Sequence, residues 1–149
     1  MGYDGVDFDE SRVADPNQRK YMSKCTQLAM RSNVKHHKHG CVIVDRKTGE
    51  IVSTGFNIFC RSRIHDSIHA EVAAIRNASK RFLHNCDMYV VRVRNNFTSP
   101  ELKYSKPCSK CQCFIHRRTR IRNVFYSINE WYISETRYFL TLIFKRRPW

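Results

Sequence analysis

The chain has 149 residues, 42% of them hydrophobic and 27% charged, and reads as one domain large enough to bury a real core. Lys and Arg number 27 against 13 Asp and Glu, a formal net charge of +14. Such a surface favours anionic partners, either nucleotide phosphates or a nucleic-acid backbone. Seven cysteines, an odd number, do not form a disulfide-framework pattern. No apolar run approaches the ~20 residues needed to cross a bilayer as a helix, so no membrane partner is expected.

Residues 1–15 hold Asp4, Asp7, Asp9, Glu10 and Asp15 against Arg12 alone. Without a sustained period they read as a flexible acidic arm, and the remainder then carries about +18. Met1-Gly2-Tyr3-Asp4 has neither a basic nor an apolar leader region, so no secretory signal is expected. Val6 stands where a myristoylation site wants Ser or Thr. Reduced thiols in cytoplasm or nucleus follow from the same features.

Asp15-Pro16 predicts a helix start, with Asp at the cap and Pro in the first turn. Tyr21, Cys25, Leu28 and Ala29 continue it at core-facing helical spacing to about Ser32. His36, His37 and His39 follow in a segment that reads as a polar loop rather than a metal cluster. Cys41-Val42-Ile43-Val44 and Ile51-Val52-Ser53-Thr54, joined by Asp45-Arg46-Lys47-Thr48-Gly49, predict a β-hairpin. Residues 58–68 form a loop carrying Cys60, Arg61, Arg63, His65 and Asp66, with Arg61 and Arg63 as candidate phosphate contacts.

A helix is predicted from His69 to Phe82, with Val72, Ile75, Ser79 and Phe82 on one stripe. Met88 to Val93 is nearly continuous in apolar residues and predicts a strand. Asn95 to Lys106, with Phe97 and Tyr104, reads as a polar loop framing a pocket. Pro107 is then placed at the first position of another helix. The basic run Arg117, Arg118, Arg120, Arg122 precedes a strand at Val124-Phe125-Tyr126. From Asn129 to Trp149 lies a basic tail with Trp131, Tyr132, Tyr138, Phe139 and Phe144, ending in Lys145-Arg146-Arg147-Pro148-Trp149. The period of Tyr138–Phe144 fits helix and strand alike.

The residues with chemistry are His69 and Glu71 together with Cys108 and Cys111. One imidazole and two thiolates make a three-ligand zinc site whose fourth tetrahedral position stays open for water, as catalysis requires. Glu71, two residues after His69, is a ready proton carrier beside it. Cys108 and Cys111 lie about one helical turn apart and can grip one ion. A competing set, Cys108, Cys111, Cys113 and His116, has the look of a structural zinc knuckle. On a helix, however, the ~100° step turns Cys113 about 160° away from Cys111, and the knuckle leaves His69-Ala70-Glu71 unexplained.

His69-x-Glu71 and Pro107-Cys108-x-x-Cys111, with Val72-Ala73-Ala74-Ile75 and Ile115, resemble the zinc-dependent cytidine/deoxycytidylate deaminase superfamily. That superfamily includes the tRNA adenosine deaminases. The resemblance implies an α/β fold, a three-layer α/β/α sandwich on a mixed sheet. It places the domain at residues 16–128, with 129–149 as a tail packing on it. It also implies Zn2+ on His69, Cys108 and Cys111, Glu71 as the catalytic proton carrier, and substrate contacts at Asn57 and Ala70, with Asn57 on the sugar. Deoxycytidylate deaminases typically continue that asparagine as Asn-Gly-Met-Pro, whereas this chain has Asn57-Ile58-Phe59-Cys60.

Three functions follow. The first is hydrolytic deamination of cytosine in a free nucleoside or nucleotide. The second is deamination of adenine or cytosine within RNA or single-stranded DNA, which the basic clusters favour. The third is a non-catalytic zinc-containing subunit that binds RNA. Residues 69–76 are also similar to bacterial guanine deaminases, a purine outlier. Family habit implies a homo-oligomer.

Overall fold

A computed structural model describes residues 7–60, 67–79, 83–95, 100–129 and 132–137. The strands are β1 (Asp7–Val13), β2 (Lys38–Asp45), β3 (Ile51–Phe56), β4 (Ile58–Phe59), β5 (Ser67–Ile68), β6 (Cys86–Asn95), β7 (Pro100–Lys103), β8 (Asn123–Asn129) and β9 (Tyr132–Arg137). The helices are α1 (Pro16–Ala29), α2 (Ala70–Asn77) and α3 (Ser109–Arg118). One sheet runs β1-β9-β8-β6-β2-β3, with β7 also pairing β6, and β4 and β5 form a separate two-stranded sheet. The β6–β8 pair is parallel, while the other pairs are antiparallel. The sheet is therefore mixed.

The core follows from β2, where Gly40 to Val44 are buried on both faces because helices cover both sides. Val42 and Val44 pack with Met22, Cys25, Leu28 and Ala29 of α1. Cys41 and Ile43, turned the other way by the two-residue period of the strand, pack with Ala70 and Ala74 of α2 and Ile115 of α3. This is a three-layer α/β/α sandwich. Two glycines set the layer spacing. A Cβ on Gly40 would meet the backbone of Cys25 and Ala29, and one on Gly55 the backbone of Ala70 and Ala74.

Strands β3 and β6 both run antiparallel to β2. Their carboxyl ends therefore lie beside the amino end of β2, and α2 and α3 start at that edge of the sheet. Open α/β sheets bind ligands at such an edge.

Several expectations change. Residues 7–13, read as part of a flexible arm, form β1, with Asp7 opposite Thr136 and Val13 opposite Tyr132. An edge strand is held by its backbone ladder and needs no apolar alternation, so its sequence carried no period. Within the expected tail, residues 132–137 form β9, paired antiparallel with β8. Tyr138–Phe144 and Lys145–Arg147 lie outside the described residues, as do Phe97, Arg61 and Arg63.

Two further differences concern helices and loops. Helix α2 ends at Asn77, short of Phe82, where Ala78 is extended (φ −81°, ψ 146°) and the Asn77 side chain donates to Thr54 O at 2.9 Å. The second stretch read as loop includes β7, which pairs β6 beyond the end of β8.

Candidate metal centre

Helix α2 begins with His69 at the N-cap, and α3 with Cys108 at the N-cap. Pro107 therefore precedes α3 rather than occupying its first turn. Neither N-cap side chain hydrogen-bonds its own helix. They turn toward each other instead. His69 Nδ1 lies 3.2 Å from Cys111 Sγ and 3.6 Å from Cys108 Sγ, and the three ligand atoms all fall within 4.8 Å of one another. A tetrahedral zinc ion with ordinary Zn–N and Zn–S lengths separates N from S by about 3.6 Å. The donor set and its spacing fit zinc. Two helix N-termini converge there, a positive environment that favours thiolates.

Cys113 and His116 are not part of this cluster, as the turn of α3 requires. Among the described residues no other group of three His, Cys, Asp or Glu side chains has metal-binding spacing.

Glu71 occupies the first turn of α2 and is only 4% exposed. Its Oε2 is 3.8 Å from Cys111 Sγ. Burial raises the Glu71 carboxyl above its ordinary value, with the nearby His69 and the Cys111 contact pulling the other way. Burial, and then the charge of Glu71, push the Cys111 thiol far upward. A bound cation reverses that preference, since a coordinating thiol is deprotonated outright.

These groups border a cavity of about 350 Å³, the size range of small-ligand sites. His69, Ala70, Glu71 and Cys108 line it, as does Asn57. Asn57 is 6% exposed, and its amide spans the amino end of β2. Its Oδ1 accepts from His39 N–H at 2.8 Å, and its Nδ2 donates to His37 O at 2.8 Å. Each end keeps capacity for one more bond.

His36, His37 and His39, set aside as a polar loop, line the same cavity, together with Phe59, Ser67 and Lys106. The signal was available in parity: His39 is two residues before Cys41 and so shares its sheet face. Tyr104, expected near the pocket, is 54% exposed and is not among the lining residues. Arg117 and Arg118 are exposed in the last turn of α3, about 15 Å of helix from Cys108. No helix among the described residues is long and apolar enough to cross a membrane.

Residues 15–128 match the family model described as the cytidine and deoxycytidylate deaminase zinc-binding region. Among solved structures, the chain is similar to cytidine deaminase from Burkholderia pseudomallei, with 14% identity and a TM-score of 0.58 over 79% of this chain and 90% of that one. It is also similar to dCMP deaminase from the cyanophage S-TIM5 in apo form, with 19% identity and a TM-score of 0.56 over 77% and 86% of the two chains. A match to Acinetobacter baumannii RibD, form 2, has 21% identity and a TM-score of 0.49; it takes in 75% of this chain but spans only 28% of that longer chain. None of the curated proteins compared matches.

Proposed function

The chain belongs to the cytidine and deoxycytidylate deaminase family, and from that premise we propose that it is a zinc-dependent hydrolase releasing ammonia from a cytosine base carried by a nucleoside or nucleotide. The observation that carries this is the meeting of His69, Cys108 and Cys111 in one cluster beside a buried Glu71, with His69, Cys108 and Glu71 on one cavity. His69, Cys108 and Cys111 hold the zinc, which supplies the Lewis acidity that makes water a nucleophile near neutral pH. Glu71 takes one proton from the attacking water and hands it to the ring nitrogen. It then takes the remaining hydroxyl proton as the carbonyl forms and delivers it to the departing amine, which leaves as ammonia. A carboxyl raised by burial suits a group that must both accept and donate. Ala70 presents no more than a methyl to the cavity, leaving room for a flat ring, and Asn57 has one remaining bond at each end for a sugar.

The cavity volume supports a single nucleotide as substrate. The second function, deamination within RNA or single-stranded DNA, draws support from the +14 charge and the exposed Arg117 and Arg118. Those two arginines stand at the opposite end of α3 from Cys108, so they favour a strand-tracking surface away from the cavity over a contact inside it.

The test is Glu71→Gln, assayed for zinc content and for ammonia release from cytidine, dCMP, adenosine, guanine and single-stranded oligonucleotides. Zinc should remain at one per chain while turnover of the cytosine nucleoside or nucleotide falls by several orders of magnitude. Near-normal turnover in Glu71→Gln would remove Glu71 from the mechanism. A zinc-loaded wild type that deaminates only oligonucleotides selects the second function, and one that deaminates nothing selects a non-catalytic role.

A further inference from the structure

In the cavity-lining ring of His39 the geometry fixes which nitrogen carries a hydrogen. Its Nδ1 lies 2.7 Å from His37 O, and a carbonyl can only accept, so Nδ1 carries the hydrogen. The same carbonyl also accepts from Asn57 Nδ2, and His37 itself sits at a left-handed φ of 59°. The ring is thus clamped to a constrained turn. Burial keeps it neutral, with its pKa pushed down to about 4. A neutral ring protonated at Nδ1 has a bare lone pair at Nε2, and among the described residues no donor reaches that atom. β2 directs the side chain to the face shared with Cys41 and Ile43, beneath α2, and His39 lines the cavity.

We infer that His39 is a further substrate-binding residue, whose Nε2 accepts a hydrogen bond from a sugar hydroxyl and so discriminates sugar-bearing substrates from free base. The inference rests on the proposed nucleoside or nucleotide substrate. Its chemistry follows from counting donors. Cytosine's exocyclic amine is a donor but sits on the reacting carbon and must lie against Glu71. The ring N3 and O2 are acceptors, and so are phosphate oxygens. An acceptor on the β2 side of the cavity is left with the hydroxyls of the sugar. Asn57, whose amide is bonded to the His39 backbone, stands beside it.

Two variants separate this role from mere support of the loop. In His39→Asn the side-chain amide can take the place of Nδ1 and keep the bond to His37 O, but no acceptor remains at the Nε2 position. In His39→Gln the side-chain oxygen reaches the Nε2 position, and the bond to His37 is lost. The zinc-loaded proteins are assayed with cytidine or its monophosphate, with 2′-deoxy and 3′-deoxy analogues, and with free cytosine. Binding of the corresponding uracil product is followed by calorimetry.

His39→Asn should lose about tenfold in kcat/KM, mainly through KM, and about tenfold in product affinity, as for one lost hydrogen bond. Free cytosine should be unaffected, and His39→Gln should recover most of the loss. One deoxy analogue should cost the wild type a similar factor and cost His39→Asn nothing further. Wild-type behaviour of His39→Asn, with damage confined to His39→Gln, would make His39 a loop support and overturn the inference alone. A wild type that turns over no nucleoside or nucleotide would overturn the proposed function and this inference with it.

Discussion

Helix α1, on one face of the sheet, and helices α2 and α3, on the other, begin in opposite ways. Asp15 caps α1 by accepting from Gln18 N–H at 2.8 Å, and Gln18 Oε1 accepts from Asp15 N–H at 3.1 Å. This is a full capping box that satisfies backbone donors every helix start leaves open. At the starts of α2 and α3 the corresponding side chains belong to His69 and Cys108 and turn away from their helices. The 8-residue α2 is far too short to persist alone and is anchored from the sheet instead. Ser53 Oγ donates to Ala74 O at 2.6 Å, and Asn77 Nδ2 donates to Thr54 O. One face is stabilised by local sequence. The other holds helix termini in place by tertiary contacts, so that cap positions are free for chemistry.

The sharpest way to break this contrast is to place the same defect on both faces. Gly40→Ala and Gly55→Ala each drive a methyl into the backbone of a packed helix, α1 and α2 respectively. Both should destabilise by about 1–3 kcal/mol or more, since backbone cannot turn aside as a side chain can. Their effects on activity should diverge. Moving α2 moves His69 and Glu71, and a displacement of about 1 Å at a reacting centre costs roughly 100-fold. Gly55→Ala should therefore lose about that factor in kcat/KM per folded molecule, and Gly40→Ala only a few-fold. Urea midpoints together with kinetics on the folded fraction check both. Equal losses of activity would mean that the two faces are mechanically coupled and the contrast is wrong.

The same contrast explains what was legible in the sequence. Helix α1 was readable because its determinants are local: Asp15-Pro16 at its start, and Cys25, Leu28 and Ala29 at core spacing. The zinc site was readable because three ligands and a carboxylate must recur at fixed spacing, whatever the surrounding packing. The buried face of α2 was read only in part. Ile75 is buried as its stripe implies, but Val72 is half-buried and Ser79 exposed, and the fully buried positions are Ala70 and Ala74, because Gly55 brings the sheet too close for anything larger. No local pattern in α2 reports a glycine on another strand. β1 was missed for a similar reason, since its partner β9 lies more than a hundred residues away. His39 was taken for loop because its neighbours His36 and His37 are polar, although its parity with Cys41 placed it on the site face.

A smaller effect is expected where a cap is removed from the self-contained helix. Asp15→Ala should cost about 1 kcal/mol and leave kcat/KM per folded molecule unchanged, because α1 touches no group of the metal centre. Thermal or urea unfolding measures the first, and steady-state kinetics the second. A loss of activity beyond the unfolded fraction would show that α1 transmits strain through β2 to the cavity.

The smallest effect has the opposite sign and concerns the helix that goes uncapped. Serine is among the best N-cap residues, because its oxygen accepts from the second or third backbone N–H of the helix. The Cys108 sulfur is a weak acceptor and lies beside His69 rather than its own helix. In the metal-free protein, Cys108→Ser should therefore be more stable than wild type by up to about 1 kcal/mol, and more stable than Cys108→Ala by at least as much. With zinc present the order should invert. Wild type gains the binding free energy of an ion held by its folded state, and Cys108→Ser, short of a thiolate, does not. Unfolding curves of the three proteins with chelator and with zinc test both halves. If metal-free Cys108→Ser is no more stable than Cys108→Ala, the geometry at the start of α3 excludes a cap altogether. The missing cap would then reflect how Pro107 delivers the chain to the helix, rather than a cap position surrendered to the ligand.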